Sequence, residues 1–383
     1  MSKRILKISA LLDQKSHFLF GPRGTGKTTL IKQELSGKAV LIDLLRSGVY
    51  RSLSARPEQL EEMIESQISD LDKKWIVIDE VQKIPSLLDE VHRLIEEKKW
   101  RFLLTGSSAR KLRSQNVNML GGRARKSEMF PFVYPEYEKW SLNDRLLYGS
   151  LPIINDSDQP REDIEAYVDT YLKEEILQEG IIRKLEPFSR FLTVAALSSG
   201  ELINFSNVGS DAQVAASTVV EHFQILIDTL MGFRLEPWVR SRKRKAIMTA
   251  KFYFFDCGVT NALAGVLSID RNSDLFGKRF EQMLIGEVRA YNSYFRRHST
   301  LSFWREKHGL EVDLLVDQNI AIEFKATARV SDRDQKGLRA LKEEKVFKKY
   351  YLISNDPVSR LKDGIQMLHY EKFLTLLWSE KIF

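Results

Sequence analysis

Cysteine is almost absent from this sequence. The 383 residues contain one, Cys257, inside the apolar run "KFYFFDCGV". A single thiol excludes an internal disulfide and any zinc site built mainly from cysteines. Its apolar surroundings favour a buried, structural thiol.

Long apolar runs are missing as well. No stretch of about twenty apolar residues, the length that a membrane-spanning helix needs, occurs in the chain. The first residues, "MSKRILKISALLDQKS", carry charges and lack the apolar segment of a signal peptide. We therefore expect a cytoplasmic protein without a membrane partner.

The composition also lacks the bias of disordered or fibrous proteins. Hydrophobic residues make up 43% of the chain and charged residues 29%, which is an ordinary mixture for globular domains. A chain of 383 residues exceeds one compact core and predicts two or three domains. The net charge of +7 favours an anionic partner, but at this chain length it indicates nucleic acid only mildly.

The stretch "FLFGPRGTGKTTLI", residues 18–31, matches the pattern G-x-x-x-x-G-K-[ST]. An apolar strand-like run precedes it and a helix-forming run follows it. This order points backbone N–H groups and a helix N-terminus at phosphate oxygens. The residues expected to hold ATP are Gly21, Pro22, Arg23, Gly24, Thr25, Gly26, Lys27, Thr28 and Thr29.

A second motif, "KKWIVIDEVQKIP", predicts a buried strand that ends in Asp79 and Glu80. After a phosphate-binding loop, such an aspartate binds Mg²⁺ together with the loop hydroxyl, here Thr28. The neighbouring glutamate orients or deprotonates the attacking water. The pair therefore indicates hydrolysis of ATP and assigns catalytic roles to Lys27 and Glu80.

The runs "KAVLIDLL" and "WRFLLTGSSARKL" predict further strands that alternate with helical stretches. This alternation is typical of a parallel sheet covered by helices on both faces. Ligands bind beyond the carboxyl ends of such strands, where Thr105, Ser107 and Ser108 would face the γ-phosphate. Ser107 is included among the nucleotide-binding residues, although the pattern does not decide which of the three senses the phosphate.

Two arginines follow the glycine pair in "NMLGGRARKSEMFPF". An arginine near the γ-phosphate, from the same chain or from a neighbouring subunit, stabilises the charge of the transition state. Arg123 is the first candidate and Arg125 the second, and a role from a neighbouring subunit would require an oligomer. The alternative is that both arginines are solvated or contact nucleic acid.

These motifs, together with "FPF" and "YVDTYLKEEI", resemble a large group of bacterial and archaeal P-loop ATPases of the AAA+ superfamily. Members of that group carry a C-terminal domain that is often compared with restriction-endonuclease folds. The resemblance covers nearly the whole chain and is sharpest in its first third. It implies an α/β fold in which a parallel-sheet ATPase domain precedes a mixed α/β, nuclease-like domain.

The middle of the chain predicts helices and a helix-turn-helix pattern. Residues 135–185 are expected to form a helical lid and residues 186–245 a winged-helix segment. The second helix of "SDAQVAASTVVEHFQIL" lacks lysine and arginine, which favours packing or a protein partner over reading of DNA bases. The basic run "VRSRKRKAIMTAK" that follows leaves two alternatives open, contact with DNA phosphates or an exposed hairpin.

The last domain is predicted to contain a second metal site. Asp313 lies in the apolar run "LEVDLLVD", and Glu323 and Lys325 form E-x-K in the next run, "IAIEFKA". Strand alternation places Glu323 and Lys325 on one face, where Asp313 of an adjacent strand can meet them. This is the D…E-x-K pattern of the restriction-endonuclease-like superfamily, which implies Mg²⁺ on the carboxylates and a lysine that stabilises developing charge.

Glu281, on the preceding helix, matches an additional acidic position of that superfamily, and Glu287 is the alternative. The metal ligands of this site are therefore expected to be Asp313 and Glu323 with Glu281 in support. The simpler interpretation of the same residues is a charged sheet rim without activity, because D…E-x-K is a short and frequent pattern.

The sequence thus predicts four segments: an ATPase core at 1–134, a lid at 135–185, a winged helix at 186–245 and a nuclease-like domain at 246–383. The first functional hypothesis is Mg²⁺-dependent ATP hydrolysis that drives or gates a DNA-interacting, nuclease-like domain. The second is a nucleotide-dependent switch or scaffold for a protein partner, with an inactive nuclease-like domain. A small-molecule kinase would explain neither the Asp-Glu pair nor the last domain.

Overall fold

The structure is a computed structural model that describes residues 4–68, 74–108, 120–137, 140–172, 185–239 and 246–383. The chain divides into two compact units. The first contains Met1–Phe132 with Asp228–Leu230, and the second contains Val133–Ile227 with Met231–Phe383.

The first unit is built on a five-stranded sheet. Its strands are β1 (Ser16–Phe20), β2 (Val40–Asp43), β3 (Trp75–Asp79), β4 (Arg101–Gly106) and β5 (Ala124–Glu128). Its helices are α1 (Ile8–Gln14), α2 (Lys27–Leu35), α3 (Ser47–Ala55), α4 (Gln59–Ile68) and α5 (Leu87–Lys98). All neighbouring strands are parallel, in the order β2-β3-β4-β1-β5, which confirms the predicted parallel sheet.

Burial explains why these segments form strands. Every residue of β1 and β3 is buried, as expected when helices cover both faces of a parallel sheet. Helix α5 buries one apolar face, which includes Leu87, Val91 and Leu94, and leaves its charged side outside. The parallel arrangement brings the carboxyl ends of β1, β3 and β4 to one edge, where the motif residues follow.

The second unit contains more helices and a larger sheet. Its helices are α6 (Leu142–Tyr148), α7 (Pro152–Asn155), α8 (Pro160–Ala166), α9 (Leu185–Leu197), α10 (Phe205–Ala212), α11 (Ala216–Asp228), α12 (Cys257–Leu263), α13 (Asp274–Tyr294), α14 (Lys336–Lys342) and α15 (Tyr370–Trp378). Its strands are β6 (Gly232–Pro237), β7 (Lys251–Phe254), β8 (Leu301–Arg305), β9 (Glu311–Val316), β10 (Ile320–Lys325), β11 (Lys349–Ser354), β12 (Arg360–Lys362) and β13 (Ile365–His369).

The eight strands form one mixed sheet in the order β12-β13-β11-β10-β9-β8-β6-β7. Strands β8, β9 and β10 are an antiparallel meander, and β11 joins β10 in parallel after helix α14. The helix and strands predicted around the D…E-x-K pattern are thus present in the predicted order.

This sheet crosses the predicted boundary between residues 245 and 246. Strand β6 pairs with β7 in antiparallel fashion and with β8 in parallel. Phe233 and Leu235 of β6 belong to the same hydrophobic core as Phe280 of α13. The end of the segment predicted as a winged helix therefore contributes a strand to the C-terminal sheet.

Helices α10 and α11 form the predicted helix-turn-helix order. Gln213 ends α10 in the left-handed conformation, with φ 56°, and α11 begins three residues later. His222 of α11 is buried between the rings of Phe188 and Phe191, at centroid distances of 4.9 Å each. These ring contacts show that this face of α11 serves packing, and burial lowers the pKa of His222.

Several of the quoted sequence stretches lie partly outside the described residues. Among them are the end of "WRFLLTGSSARKL", from residue 109 on, the end of "YVDTYLKEEI", from residue 173 on, and residues 240–245 of the basic run. Cys257 is buried, as predicted, and its burial raises the pKa of the thiol to about 12. Within the described part of the chain, we find no helix with the length and apolar character to span a membrane.

An ion pair deep in the second unit ties α13 to α6. Glu287 accepts hydrogen bonds from the guanidinium of Arg145 (2.8 Å), the backbone N–H of Tyr134 (3.0 Å) and the indole of Trp378 (2.9 Å). The side chains of Arg145 and Glu287 are 5% and 4% exposed. A buried charge pair with this many partners is structural.

We expect Glu287→Ala to lower the free energy of unfolding of the second unit by about 3–5 kcal/mol, because the buried guanidinium of Arg145 loses its carboxylate partner. Urea denaturation followed by tryptophan fluorescence measures the change. The matched control is Glu165→Ala, which breaks the exposed pair with Arg161 and should cost less than about 1 kcal/mol. Equal losses for the two variants would contradict a structural role for Glu287.

Candidate functional sites

The phosphate-binding loop connects β1 to α2 as predicted. Gly26 precedes the first residue of α2 with a φ of 85°, a left-handed conformation that glycine adopts without strain. Lys27 is 6% exposed, and its ammonium donates to the carbonyl oxygens of Gly21 (2.6 Å) and Pro22 (3.2 Å). The loop therefore encloses its lysine at the N-terminus of a helix.

Asp79 links three elements at the carboxyl edge of the sheet. Its carboxylate accepts a hydrogen bond of 2.9 Å from the hydroxyl of Thr28 and another from the hydroxyl of Thr105 at the end of β4. Asp79 is 2% exposed. The structure thus brings together the two residues that were predicted to bind Mg²⁺, and it adds Thr105 as a partner of the aspartate.

Glu80 leaves the strand in the left-handed conformation, with a φ of 61°, which costs a non-glycine residue about 1–2 kcal/mol. Its carboxylate accepts a hydrogen bond of 2.5 Å from the side-chain amide of Gln82. The same amide nitrogen lies 3.3 Å from the hydroxyl of Ser107. Gln82, which the sequence analysis did not single out, therefore connects Glu80 to the strand end that was predicted to face the γ-phosphate.

Gly106 makes room for the Gln82 side chain. A Cβ atom at position 106 would lie 2.3 Å from Oε1 of Gln82, well inside van der Waals contact. Gln82 is 6% exposed, and among the described residues its Oε1 has no hydrogen-bond partner. Sequence alone offered one hint, since Gln82 lies two residues beyond Glu80 in the same short motif.

Arg123 and Arg125 lie at the other end of the sheet. In the β1–β5 register Ser16 is opposite Ala124, whereas Phe20, the last residue before the loop, is opposite Glu128. Ala124 and Glu128 are four residues apart along β5, which corresponds to about 13 Å. Arg123 forms an ion pair with Glu96 of α5, so a contact with the γ-phosphate of its own chain does not fit, and a contact from a neighbouring subunit stays a prediction.

In the second unit, β9 and β10 bring the D…E-x-K residues together. The ammonium of Lys325 lies 2.6 Å from Glu323, which alternation placed on the same face of β10. Asp313 of β9 accepts a hydrogen bond of 2.8 Å from the backbone N–H of Phe324. Asp313 and Glu323 are 5% and 4% exposed, and Oε2 of Glu323 has no hydrogen-bond partner among the described residues.

Glu281 lies at the same site but is bound differently from the prediction. It accepts a hydrogen bond of 2.5 Å from the phenol of Tyr253, and it forms an ion pair of 3.1 Å with Lys251 of β7. Lys251 also pairs with Glu311, two residues before Asp313 on β9. Glu311 could have been found by strand alternation from Asp313, but Lys251 and Tyr253 come from a distant segment without a motif.

The pKa values at this site reflect burial first and neighbouring negative charge second. Burial raises the pKa of Asp313 to about 7, and the charge of Glu281 contributes to the rise. Burial also raises the pKa of Glu323 well above its usual value, with Asp313 adding to it. For Lys325, burial lowers the pKa, but the nearby Asp313 and Glu323 outweigh it, so the pKa rises.

Asp313 and Glu323 fit a divalent cation, because carboxylate oxygens are its usual ligands and one buried oxygen lacks a donor. A third carboxylate does not join them: no set of three or more His, Cys, Asp or Glu side chains within the described ranges is spaced for a common metal ion. Glu287, the alternative to Glu281, lies in the buried pair with Arg145 and not in this site.

A cavity of about 810 Å³ opens onto these residues. Its lining combines four carboxylates, which we call the carboxylate cluster (Glu281, Glu311, Asp313 and Glu323), with basic side chains and with Glu201 and Asp334. The basic side chains that line it are Lys251, Lys278, Arg305, Lys325, Arg333 and Lys336. Buried carboxylates below a partly basic rim are suited to a substrate that carries phosphate.

Residues 13–138 match the sequence profile of an AAA domain family. The match and the geometry of the loop together support a P-loop ATPase domain in the first unit. Residues 139–270 and 276–373 match two further families, described as domains of unknown function DUF8612 and DUF4143.

Similar chains have been recorded in bacteria and archaea. Uncharacterised proteins of Mycobacterium tuberculosis and Mycobacterium bovis are each 28% identical over 312 residues, covering 78% of this chain and 67% of theirs. An uncharacterised protein of Methanocaldococcus jannaschii is 21% identical over 335 residues, covering 80% of this chain and 73% of its own.

Among solved structures, this chain is similar to replication initiator DnaA bound to AMPPCP and single-stranded DNA. The identity is 10% and the TM-score 0.29, over 57% of this chain and 86% of that one. The score is too low to extend the likeness beyond these numbers.

We expect Gly106→Ala to lower the rate of ATP hydrolysis about tenfold or more, because the added Cβ displaces the Gln82 amide from Glu80. Gln82→Ala should give a similar loss, and the double variant no further loss. Steady-state phosphate release measures all three, with the KM for ATP unchanged. Gly48→Ala is the matched control, because its Cβ meets no atom within 4 Å. A Gly106→Ala enzyme with the wild-type rate would show that Gln82 does not position Glu80.

Proposed function

We propose that this chain hydrolyses ATP with Mg²⁺ and that the nucleotide cycle gates a nucleic-acid-cleaving site in its second unit. The main support for ATP hydrolysis is the hydrogen bond between Thr28 and Asp79 at the carboxyl edge of the sheet. Glu80 lies beside this pair. The match to an AAA domain family supports the same assignment. Coupling between the two activities is the second part of the proposal.

In the first unit, each residue has a distinct task. Lys27 holds the β- and γ-phosphates from the start of α2, where backbone N–H groups also point at phosphate oxygens. Thr28 and Asp79 would hold Mg²⁺, which neutralises charge on the phosphates. Glu80 orients the attacking water and accepts its proton, and Gln82 holds the Glu80 carboxylate in place.

In the second unit, Asp313 and Glu323 would hold Mg²⁺, which polarises a phosphodiester and lowers the pKa of a bound water. Lys325 lies close enough to Glu323 to place its positive charge beside the same phosphate. Its task is to stabilise the negative charge that develops when the P–O bond breaks. Cleavage of a phosphodiester in this way requires the carboxylates and the lysine to lie close together, and Lys325 does contact Glu323.

The rim of the cavity supports DNA as the substrate. Arg333 and Lys336 are exposed, and Lys278 and Arg305, which pair with Glu201 and Glu311, are 40% and 37% exposed. Such side chains contact backbone phosphates without regard to sequence, and they supply the salt-dependent part of the affinity.

A nucleotide-dependent switch or scaffold for a protein partner is the second candidate. Glu281 is tied to Lys251 and Tyr253, which favours a nuclease-like domain with an incomplete set of metal ligands. Helix α11 buries the face that includes His222 and Phe223 and carries no lysine or arginine, which favours packing or protein contacts over DNA reading. In this case ATP hydrolysis would persist without cleavage.

The wild-type chain is expected to hydrolyse ATP with Mg²⁺. Lys27→Ala and Glu80→Gln should each reduce the rate by about 100-fold or more, since one removes phosphate charge stabilisation and the other the general base. Phosphate release measures the rate, and fluorescent-nucleotide binding separates the variants, because only Lys27→Ala should weaken ATP affinity. Lys325→Ala is the control and should retain the wild-type ATPase rate. Absence of ATP binding by the wild type would refute the proposal.

We expect cleavage of single-stranded, double-stranded or branched DNA in the presence of Mg²⁺ or Mn²⁺, and we expect ATP to change its rate. Lys325→Ala and Glu323→Ala should reduce cleavage by about 100-fold or more, because they remove charge stabilisation and a metal ligand. Gel assays of labelled DNA measure this, with Lys27→Ala as the variant that separates cleavage from ATP hydrolysis. Intact ATPase activity without cleavage of any substrate would favour the switch or scaffold.

A further inference from the structure

Lys251 is a cation built into the carboxylate cluster. Its side chain is 4% exposed, and its ammonium pairs with both Glu281 and Glu311. Tyr253, the next residue on the same face of β7, donates a second bond to Glu281. Both carboxylates therefore already have a positive partner within the fold.

The position of Lys251 is fixed from several sides. Its backbone pairs with Leu235 of β6 and forms a bridge with Leu202. Its ammonium also lies over the ring of Phe303, 5.4 Å from the centroid. A lysine held in this way would lose two ion pairs and its ring contact if its side chain turned outward.

The other half of the cluster is arranged differently. Asp313 is held by the backbone N–H of Phe324, and Glu323 is held through one oxygen by Lys325. The second oxygen of Glu323 is buried and has no hydrogen-bond partner among the residues described. An unpartnered carboxylate oxygen with this burial is costly unless a cation or a donor reaches it. The cluster therefore has one open cation position, beside Asp313 and Glu323, while Lys251 fills the other.

The net charge of the carboxylate cluster also favours a single position for a divalent cation. When ionised, the four carboxylates of the cluster face the three cations that pair with them, Lys251, Lys325 and Arg305, which leaves one net negative charge. One divalent ion converts this into one net positive charge, the complement of one phosphodiester. A second divalent ion would leave three uncompensated positive charges in a largely buried site.

We propose that Lys251 takes the place of a second metal ion, so that the site in the second unit binds one divalent cation, held by Asp313 and Glu323, and Glu281 is not a ligand. This inference rests on the proposed function of the site. It names Lys251 as a positioning residue that neutralises Glu281 and Glu311.

Mn²⁺ binding to the full chain tests the stoichiometry without requiring cleavage. All variants are made in an Asp79→Asn background, which removes the metal ligand of the first unit, and are titrated without nucleotide by electron paramagnetic resonance. The parent should bind one Mn²⁺, and Glu323→Gln should lose it. Lys251→Met should bind two, because Glu281 loses its cation and Glu311 keeps only Arg305. Adding Glu281→Gln to Lys251→Met should restore one.

Glu281→Gln alone provides the second measurement, which does not depend on the folding of a Lys251 variant. Its Mn²⁺ affinity should stay within about threefold of the parent, since Glu281 is no ligand; a loss of tenfold or more would overturn the inference. Two Mn²⁺ ions bound to the parent would overturn it as well. Circular dichroism verifies folding, and Glu201→Gln, at the exposed rim, is the control for charge removal. A one-ion result without DNA cleavage would retain this inference and reject the nuclease.

Discussion

Carboxylates that leave water must find donors or cations inside the protein, and this constraint shapes both units. Asp79 is satisfied by two hydroxyls that belong to separate elements, so the helix after the loop and two strands are tied at one point. Glu287 is satisfied by a guanidinium, an indole and a backbone N–H. Glu323 keeps one buried oxygen without a hydrogen-bond partner in the described structure, and it lies where substrate chemistry is proposed.

The first unit was largely predictable because its signals are local. A strand, a glycine loop and a helix follow one another within 20 residues, and the Asp-Glu pair ends a strand whose residues are all buried. Parallel pairing then dictates that these ends meet. The bond between Glu80 and Gln82 escaped prediction because it depends on the space above Gly106, which belongs to another strand.

In the second unit, contacts within one strand were predictable from the sequence, whereas contacts between distant segments were not. Alternation along β10 placed Glu323 beside Lys325 correctly, since both residues share one strand. Glu281 was expected to face a metal, but its partner, Lys251, comes from a strand 30 residues earlier in the chain. Contacts of this range depend on which strands become neighbours in the sheet. The position of Arg123 depends on strand pairing too, because only the β1–β5 register reveals which end of the sheet it occupies.

Strand β6 limits where the protein can be divided into fragments that fold. A fragment that began at residue 246 would retain every residue of the D…E-x-K pattern but would lose the parallel neighbour of β8 and the core side chains of Phe233 and Leu235. Its newly exposed strand edges would offer unpaired N–H and C=O groups to other molecules, the usual route to edge-to-edge aggregation. The sheet thus makes strand β6, and not only the residues of the pattern, part of the smallest piece that can fold.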